Sequence, residues 1–598
     1  MHWTMRCGPP APCRNGEPWR FKVATHDLVV RIGGEGGEGV ISCGEILSRA
    51  VARGGLNIHA FRTFPAEIRG GLAMFQLRGS DGPARSLSQS VDVLCAINHN
   101  AYDAYVGNIK SDGVLLYDPA FVKIDDRLGG RRRIELPLDA ISNEATGASR
   151  AKNMVAMGAL LAVFDVPVEY GKTLAGEHFG TKGEDVVRMN QGAIEAGHTY
   201  ALQHMAEIRK PFNRIPDRDQ ILVNGNEACA MGAIAAGVDF VPGYPITPAT
   251  PIFEFLCREL PRFGGKAVQF EDEIASLAAG IGASFAGKRV LTATSGPGLS
   301  LMSETLNLAA MTECPITIIN VMRGGPSTGM PTKTEQSDLK FAIYGTSGES
   351  PRCIMAPLDI YDCFWQTVRA VRIAEKYQIP VIVLTDQALA YTSQNIDTPD
   401  LTDVELGERL APPLDTDPET FERYADTENG ISPMPIPGVH ELMYMSTGLE
   451  HTPKGAPNYT PANHELMTAK RFRKLTALGR RVVQQSHVEE EEPEGVEVGI
   501  IGWGSTYGAI TEAIEQIEAD TGVRVAHLHP RILSPLPEWR IRQFLGPLKK
   551  LIVPEENYTG QYAHFLKGKF GIKPIEIHKA HGVPFTAEEL VGAIKEEL

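Results

Sequence analysis

The sequence lacks the features that mark membrane, secreted and iron-binding chains. Its 598 residues contain no run of 18 apolar residues, so a membrane span is not expected. The N-terminus lacks the apolar core of a secretory signal, which favours a cytoplasmic protein with a frayed tail over residues 1–25. The nine cysteines are scattered and include no Cys-x-x-Cys pair. We therefore expect no disulfide framework, no iron–sulfur cluster and no metal site in this chain.

Basic residues are fewer than acidic residues. The chain carries 58 Lys and Arg against 73 Asp and Glu, a formal charge of −15. Nucleic-acid binding needs clustered cations, so a nucleic-acid partner is not expected. Apolar residues make up 43%, the proportion of a globular protein, which excludes global disorder, collagen and coiled coil. At roughly 150 residues per domain, the length predicts about four domains.

Short apolar runs alternate with helical patterns along most of the chain, which predicts a multidomain α/β fold. Continuous runs such as Pro380–Thr385 suit strands that are buried on both faces. We expect a parallel sheet in the first block and a small α/β domain in the last. Frequent proline, glycine and charge predict a long connector before the last domain. The predicted units are domains at 26–208, 215–390 and 495–598, and an extended connector at 391–494.

A glycine cluster lies between a predicted strand and a predicted helix, from Gly33 to Val40. Backbone N–H groups at such a turn can hold a phosphate group. A tight structural turn explains the glycines equally well. Both interpretations stay open for the four glycines concerned, Gly34, Gly36, Gly37 and Gly39.

Two polar loops follow predicted strands of the second domain. Residues 244–250 contain two prolines that fix an extended turn, which presents Thr247 at the carboxyl end of a strand. In the second loop, Arg323 is followed by glycines, prolines, Thr332 and Lys333. Cations and hydroxyls on such a rigid loop can bind a small carboxylate.

Three acids, Glu271, Asp272 and Glu273, precede a predicted helix rich in alanine and glycine. On propensity alone they are N-terminal helix charges, which the helix dipole favours. The small residues of this helix permit the close approach of another element.

A formal Gly-x-Ser-x-Gly motif at Gly325–Gly329 follows a predicted strand, as a hydrolase nucleophile at Ser327 requires. Such a nucleophile must open directly into a helix. Here a polar stretch follows instead, which disfavours a serine hydrolase.

Taken together, these motifs resemble the 2-oxoacid:ferredoxin oxidoreductases. The segments GNEACAMGAIAAGVDFVPGYPITPAT and MRGGPSTGMPTKTEQSDL are similar to the signature of that family's α subunit. The Gly33–Val40 turn with Arg69-Gly70-Gly71 resembles its γ domain. The PLP at 535–537 and the EEN and GQ at 555–561 resemble a transketolase-C-like domain. The resemblance implies a fused γ–α subunit with a γ-type domain, a pyrimidine-binding domain and a transketolase-C-like domain.

The family decarboxylates a 2-oxoacid on thiamine diphosphate, passes electrons through a [4Fe-4S] cluster to ferredoxin, and forms an acyl-CoA. The diphosphate half of its cofactor site normally shows Gly-Asp-Gly followed by an Asn pair, and this chain has neither. The resemblance therefore implies that this chain supplies the aminopyrimidine half. It also implies a β subunit with most of the thiamine diphosphate, the Mg²⁺ and the [4Fe-4S] cluster. The expected assembly is an (αβ)₂ heterotetramer that is active only with its β subunit.

The resemblance also assigns roles to individual residues. Glu273 matches the glutamate that hydrogen-bonds the pyrimidine and so promotes proton removal from thiazolium C2, with Glu271 and Glu254 as its nearest competitors. Thr247 and Arg323 match positions that hold the 2-oxocarboxylate. Thr332 and Lys333 lie on the same loop and are candidates for the far end of a dicarboxylic substrate. The remaining candidate cofactor contacts are Tyr244, Pro245, Ile246, Ser295 and Gly296, and the γ-like glycines lie near the expected CoA entrance.

The C-terminal HGVPFTAEEL, residues 581–590, resembles the 2-oxoglutarate branch of the family more than the pyruvate branch. A second carboxylate needs a cation, and Lys333 is available. We therefore expect 2-oxoglutarate as the substrate, with pyruvate or a broad range of 2-oxoacids as the alternative. Two remote alternatives are a serine hydrolase on Ser327 and a non-catalytic nucleotide-binding module that uses the glycine turn. The direction of the reaction, oxidative or reductive, stays open.

Overall fold

The computed structural model describes residues 26–63, 71–210, 212–215, 218–480 and 495–598. Arg69, Gly70 and the acid run at 489–494 lie outside the described residues. The fold is α/β throughout, as the sequence predicts. No helix in the described part of the chain is long and apolar enough to cross a membrane.

The N-terminal region places helices against one large sheet. Its apolar core includes most of one helix, α4, in which every residue from Met154 to Val163 is buried. In chain order its elements are β1 (Asp27–Glu35), α1 (Val40–Arg53), β2 (Asn57–Thr63), β3 (Leu72–Ser80), β4 (Val91–Ala96), α2 (His99–Tyr105), β5 (Ile109–Tyr117), β6 (Arg132–Glu135), α3 (Leu138–Thr146), α4 (Lys152–Val163), α5 (Val168–Phe179) and α6 (Glu184–His204).

The central region alternates strands and helices. Strands β10, β11 and β13 are buried along their whole length, as continuous apolar runs predict. Its elements are β7 (Gln220–Asn224), α7 (Gly225–Ala235), β8 (Phe240–Gly243), α8 (Thr250–Glu259), β9 (Lys266–Gln269), α9 (Glu273–Phe285), β10 (Leu291–Thr294), α10 (Gly296–Leu301), α11 (Ser303–Met311), β11 (Ile316–Met322), α12 (Leu339–Tyr344), β12 (Cys353–Met355), α13 (Ile360–Tyr377), β13 (Pro380–Asp386) and α14 (Gln387–Tyr391).

The stretch predicted as an extended connector contains regular structure. A strand, β14, opens it, and an 18-residue helix, α15, lies near its end. It wraps over the central region of this same chain, where Ile431 and Leu478 join the central apolar core. These two elements are β14 (Thr392–Asp397) and α15 (Pro461–Leu478).

The C-terminal region is a small α/β unit around a four-stranded parallel sheet in the order β16-β15-β18-β19. Its remaining strand, β17, leaves this sheet and pairs antiparallel with β12 of the central sheet. The elements are β15 (Val498–Ile501), α16 (Tyr507–Thr521), β16 (Val525–Leu528), β17 (Ile532–Ser534), α17 (Glu538–Leu545), β18 (Lys550–Glu555), α18 (Gln561–Phe570), β19 (Ile575–His578) and α19 (Ala587–Lys595).

The first sheet is mixed, so the expectation of a parallel sheet there is wrong. It has eight strands in the order β6-β5-β4-β1-β3-β2-β14-β7. Strands β1, β4, β5 and β6 are parallel, whereas β3 runs antiparallel to both β1 and β2. Only residues 64–71 separate β2 from β3, and a parallel crossover needs a dozen residues or more.

The same sheet crosses two of the predicted domain boundaries. Strands β7 and β14 pair with each other, and β14 also pairs with β2. The central region is thereby attached to the N-terminal sheet by backbone hydrogen bonds at its two ends. The central sheet has the order β10-β11-β13-β12-β17, and β8 pairs parallel with β9 in a separate two-stranded sheet.

Candidate active site

Three strands of the central region end close together and direct polar residues into one cleft. Tyr244–Thr247 follows β8, Ser295 follows β10, and Arg323 follows β11. Strands β10 and β11 are parallel neighbours, with Thr294 opposite Asn320, so their carboxyl ends meet at the same edge. The carboxyl edge of a parallel sheet is where α/β folds bind ligands.

Arg323 joins two of these strand ends. Its Nη1 donates a hydrogen bond of 2.6 Å to the backbone carbonyl of Thr247. The side chain is 7% exposed, and its Nε has no partner among the described residues. Burial lowers the pKa of Arg323, and the nearby carboxylates of Asp338 and Glu273 oppose this shift. The buried guanidinium therefore keeps donor capacity for an anionic ligand.

Glu273 is the buried acid of the site. Asp272, the preceding residue, caps helix α9 by accepting a 2.7 Å hydrogen bond from the Ala275 N–H, so it fulfils the helix-charge role. Glu273 is 5% exposed, and no hydrogen bond to its carboxylate occurs within the described part of the chain. Glu271 and Glu254, its two competitors, are exposed. Burial therefore separates Glu273 from the other acids.

A glycine under Glu273 leaves room for its carboxylate. A Cβ atom placed on Gly298 would lie 2.6 Å from Oε1 of Glu273 and 2.1 Å from Oγ1 of Thr294. Any side chain at Gly298 would therefore displace the acid. Ser295, at the start of α10, is fully buried, and its hydroxyl has no partner among the described residues.

Two polar residues that sequence reasoning missed complete this edge. Asn320 donates a hydrogen bond of 2.9 Å to the carboxylate of Asp338. A Cβ atom on Gly296 would lie 2.9 Å from the same carboxylate. Burial raises the pKa of Asp338, and the bond from Asn320 opposes this shift. The sequence does offer one signal for this pair: Asn320 is the only amide in the otherwise largely apolar strand ITIINVM.

The loop after Arg323 turns back on itself and packs against the C-terminal region. Gly324 exchanges backbone hydrogen bonds with Met330 and Lys333. The Lys333 ammonium forms no ion pair with any described residue, and its stem lies against Gly582. Thr332 is half-buried on this loop, and no hydrogen bond joins its side chain to the other candidate residues of the described chain.

The other predicted cofactor contacts lie on the open side of the cleft. Tyr244 and Pro245 are exposed, and Ile246 is half-buried. This part of the cleft lies at the surface of the single chain.

The loop that contains Ser327 has no nucleophile elbow. Ser327 is exposed on the returning loop with φ of 58°, and the next helix, α12, begins only at Leu339. The strand–serine–helix geometry of a hydrolase is therefore missing at this motif in the described structure.

The glycine turn between β1 and α1 already holds a carboxylate of its own. Glu38 accepts 2.8 Å hydrogen bonds from the Glu35 N–H and from Asn98, and a 3.1 Å bond from Lys152. Gly37 has φ of 100° and open space around it. The residues that could attract a phosphate are thus partly engaged by Glu38.

Comparison with known proteins assigns the class. The family profile described as pyruvate ferredoxin/flavodoxin oxidoreductase matches residues 29–200. Its thiamine-diphosphate-binding counterpart matches residues 231–470. These matches place the chain among the thiamine-diphosphate-binding oxidoreductases.

Individual relatives narrow the class. The 2-oxoglutarate oxidoreductase subunit KorA of Mycobacterium tuberculosis is 35% identical, over 96% of this chain and 92% of its own length. The 2-oxoacid:ferredoxin oxidoreductase 2 subunit alpha of Aeropyrum pernix is 31% identical, over 95% of this chain and 97% of its own. The solved 2-oxoglutarate:ferredoxin oxidoreductase of Magnetococcus marinus, with 2-oxoglutarate, coenzyme A and succinyl-CoA bound, is 43% identical. Its TM-score is 0.90, over 96% of this chain and 99% of that one.

The chain belongs to the 2-oxoacid:ferredoxin oxidoreductase family. This confirms the resemblance seen in the motifs, and with it the fused γ–α character of the chain, because both family profiles match this one chain. It leaves the roles of individual residues to be argued from their geometry.

Proposed function

We propose that this chain is the α subunit of a 2-oxoglutarate:ferredoxin oxidoreductase. With a β subunit it interconverts 2-oxoglutarate, CoA and oxidised ferredoxin with succinyl-CoA, CO₂ and reduced ferredoxin. The observation that carries the proposal is the buried carboxylate of Glu273, which has no hydrogen-bond partner in the described chain and lies within electrostatic range of Arg323. The named relatives supply the substrate class, since two of the three act on 2-oxoglutarate by name.

The residues present fit the aminopyrimidine half of thiamine diphosphate. A buried acid without a partner is expected where a ligand supplies the missing donor. Glu273 offers such an acceptor, Gly298 leaves room for its carboxylate, and the buried Ser295 hydroxyl is unpartnered among the described residues. Bound there, thiamine diphosphate supplies a carbon nucleophile and an electron sink. In this proposal Tyr244, Pro245, Ile246, Ser295 and Gly296 shape the pocket, and Glu273 holds or shares a proton at its carboxylate.

The substrate's first carboxylate is assigned to Arg323 and Thr247. Arg323 is held by the Thr247 carbonyl and keeps its Nε free of any described partner, so it can orient an anion without moving. Lys333 and Thr332 are assigned to the second carboxylate of 2-oxoglutarate. The unpaired Lys333 ammonium supports this, because a dianionic substrate needs a second cation.

A second candidate is a broader 2-oxoacid specificity, with pyruvate included. It is favoured by the A. pernix relative, whose name specifies only a 2-oxoacid. The two candidates differ in whether Lys333 contributes to substrate selection.

A β subunit is proposed to cover the open side of the cleft. Exposed apolar side chains lie on the elements that carry the candidate residues: the loop after β8, α9, α10 and the Arg323 loop. A partner that buries them together would gain hydrophobic stabilisation. The exposed apolar residues are Tyr244, Ile274, Leu301 and Met330. The partner would bring the Mg²⁺, most of the diphosphate site and the [4Fe-4S] cluster, in an (αβ)₂ heterotetramer that donates electrons to ferredoxin in the cytoplasm.

The predicted division of the chain is retained as part of the proposal. The γ-type unit spans 26–208, the pyrimidine-binding unit 215–390, the connector 391–494 and the transketolase-C-like unit 495–598. Gly34, Gly36, Gly37 and Gly39 stay candidates for a CoA or phosphate contact, supported by the open space at Gly37.

The test is reconstitution. This chain should be purified alone and together with its β subunit, and each sample assayed for 2-oxoglutarate- and CoA-dependent reduction of ferredoxin. We expect turnover and a [4Fe-4S] spectrum only in the complex. Turnover or bound iron in the isolated chain, or a complex that uses pyruvate in preference to 2-oxoglutarate, would contradict the proposal.

A further inference from the structure

The C-terminal segment 581–585 lies directly against the loop that carries Lys333. The Thr334 N–H donates 3.3 Å to the Gly582 carbonyl. A Cβ atom on Gly582 would lie 2.8 Å from Cβ and 3.2 Å from Cγ of Lys333. The backbone at Gly582 has φ of 72°, which a side chain disfavours in any case. The stem of Lys333 is therefore packed on a surface that requires glycine.

A buried latch holds this segment and the loop together. Glu556 accepts a 2.8 Å hydrogen bond from the Phe585 N–H through its carboxyl. Its backbone exchanges two bonds with Gln336, one of 2.7 Å from the Gln336 N–H to the Glu556 carbonyl and one of 3.1 Å from the Glu556 N–H to Oε1. Gln336 Nε2 also donates 2.8 Å to the Trp503 carbonyl, and Asn557 donates 3.0 Å to the Gln336 carbonyl. These residues are all buried.

The Glu556 carboxyl can serve in this latch without a counter-ion. Burial, and next the neighbouring Asp386, raise its pKa to about 8, while Lys579 opposes and Glu589 adds to the shift. Burial therefore favours the protonated, neutral form of this carboxyl. A neutral glutamine at this position should preserve the latch.

We infer that segment 581–585, latched through Glu556 and Gln336, positions Lys333 and thereby sets the preference for a dicarboxylic over a monocarboxylic 2-oxoacid. This inference rests on the proposed function. A lysine side chain has four rotatable bonds, so fixing its stem restricts where the ammonium can meet a second carboxylate. Gly582 and Glu556 are in this view positioning residues that do not touch the substrate.

The experiment is a substrate comparison with the reconstituted complex. Gly582→Ala should displace the Lys333 stem and lower kcat/KM for 2-oxoglutarate by about tenfold, the lower end of the loss of one charge-assisted contact. The effect should appear in KM, and kcat/KM for 2-oxobutyrate should stay within about twofold. Lys333→Met should lose the same preference, and adding Gly582→Ala to it should cost nothing further, because both changes act on one contact.

The matched control is Gly522→Ala. Gly522 lies in the same region and has φ of 73°, and no atom lies within 4 Å of the point where a Cβ would stand. The change therefore introduces the same backbone strain without touching Lys333. It should leave kcat/KM for both substrates unchanged. Glu556→Gln should retain the preference, whereas Glu556→Leu, which cannot accept from Phe585, should lose it.

The outcomes separate the two claims. If the wild-type complex turns over no 2-oxoacid, the proposed function itself is wrong. A second outcome is a wild-type complex that prefers 2-oxoglutarate while Gly582→Ala lowers kcat/KM for both substrates equally, or for neither. In that case the latch is merely structural, and only the inference about substrate preference fails. Should Gly582→Ala not assemble, Glu556→Leu against Glu556→Gln decides the question in the same assay.

Discussion

Two buried glutamates of the central region have opposite surroundings. Glu273 is 5% exposed, and its carboxylate has no hydrogen-bond partner in the described chain. Glu313, 40 residues further on, is 1% exposed and accepts 2.7 Å bonds from Lys470, with Lys474 beside it. Arg423 adds a 3.1 Å bond to the Glu313 carbonyl. One acid is fully compensated by this chain and the other is not.

The difference indicates which acid is reserved for a ligand. A buried carboxylate without partners costs several kcal/mol, so a fold retains one only where something else pairs with it. The connector supplies that pairing for Glu313 through Arg423 and helix α15. No described residue donates a hydrogen bond to Glu273, which lies in the part of the chain that matches the thiamine-diphosphate-binding profile. We therefore propose a structural role for Glu313 and a functional role for Glu273, a contrast that mutation can break.

Glu273→Gln gives the largest expected effect. Glutamine keeps the size of the side chain but cannot share a proton with a cofactor ring. We expect hydrogen–deuterium exchange at thiazolium C2 in the reconstituted complex to slow by about 10²–10⁴-fold, the range of one general acid–base group. The melting temperature should stay unchanged.

The matched control is Glu271→Gln, two residues earlier and exposed. It should leave C2 exchange at the wild-type rate. Normal exchange in Glu273→Gln together with a lowered melting temperature would instead assign Glu273 a helix-charge role, worth ~0.3–1 kcal/mol.

Glu313→Gln should do the reverse. It leaves two lysines and an arginine buried without a negative partner, and breaking a buried ion pair costs about 3–5 kcal/mol. We expect a large loss in the free energy of unfolding, measured by denaturant titration of the complex. The molecules that stay folded should show wild-type C2 exchange, and a stable variant would show that Glu313 is dispensable.

How far the sequence could predict the fold depends on what each element buries. Strands β11 and β13 were predictable because ITIINVM and PVIVLTD bury both faces. Helix α15 was not, because three of its five buried residues, Lys470, Arg471 and Lys474, are charged. These charges pair with Glu313 and Glu450, which are distant in sequence. A hydrophobic pattern cannot reveal a helix whose buried side is ionic.

The same limit applies to the candidate site. Motif resemblance selected Glu273, Arg323 and Lys333. Only the structure distinguishes the three adjacent acids: Asp272 caps helix α9, Glu271 is exposed and Glu273 is buried. The contact between Arg323 and the Thr247 carbonyl spans 76 positions and involves a backbone atom, so no side-chain pattern encodes it. The latch through Gln336 and Glu556 spans 220 positions and was equally out of reach.

Arg323→Ala tests whether the buried guanidinium of the site holds substrate. Loss of one charge-assisted contact to a carboxylate costs about 1.5–3 kcal/mol, so KM for 2-oxoglutarate should rise roughly 10–100-fold. Steady-state kinetics of the complex measure this. Arg131→Ala is the control. Arg131 also donates a hydrogen bond to a backbone carbonyl, that of Ile109 at 2.8 Å, but it lies in the N-terminal region. An unchanged KM in Arg323→Ala would remove this residue from the substrate site.

The smallest expected effect concerns Lys474, the second of two buried lysines that pair with Glu313. Burial lowers the pKa of Lys474 from 10.5 to about 7, although Glu313 opposes the shift. Between about pH 7 and 10.5 the unfolded chain therefore binds more protons at this lysine than the folded chain. Stability from this group rises with pH across that window and is lowest below pH 7, where the ammonium stays charged while buried.

Lys474→Met should remove this dependence. Lys470 and Arg423 remain near Glu313, so the acid is not left unpaired. We expect the melting temperature of the variant relative to wild type to be highest at pH 6 and to fall steadily towards pH 9, because only the wild type gains stability from Lys474 as the pH rises. Lys549→Met, at an exposed lysine paired with Glu497, should show no such trend. A pH-independent difference for Lys474→Met would mean that Lys474 is charged at neutral pH, and that the Glu313 cluster tolerates a full surplus of buried positive charge.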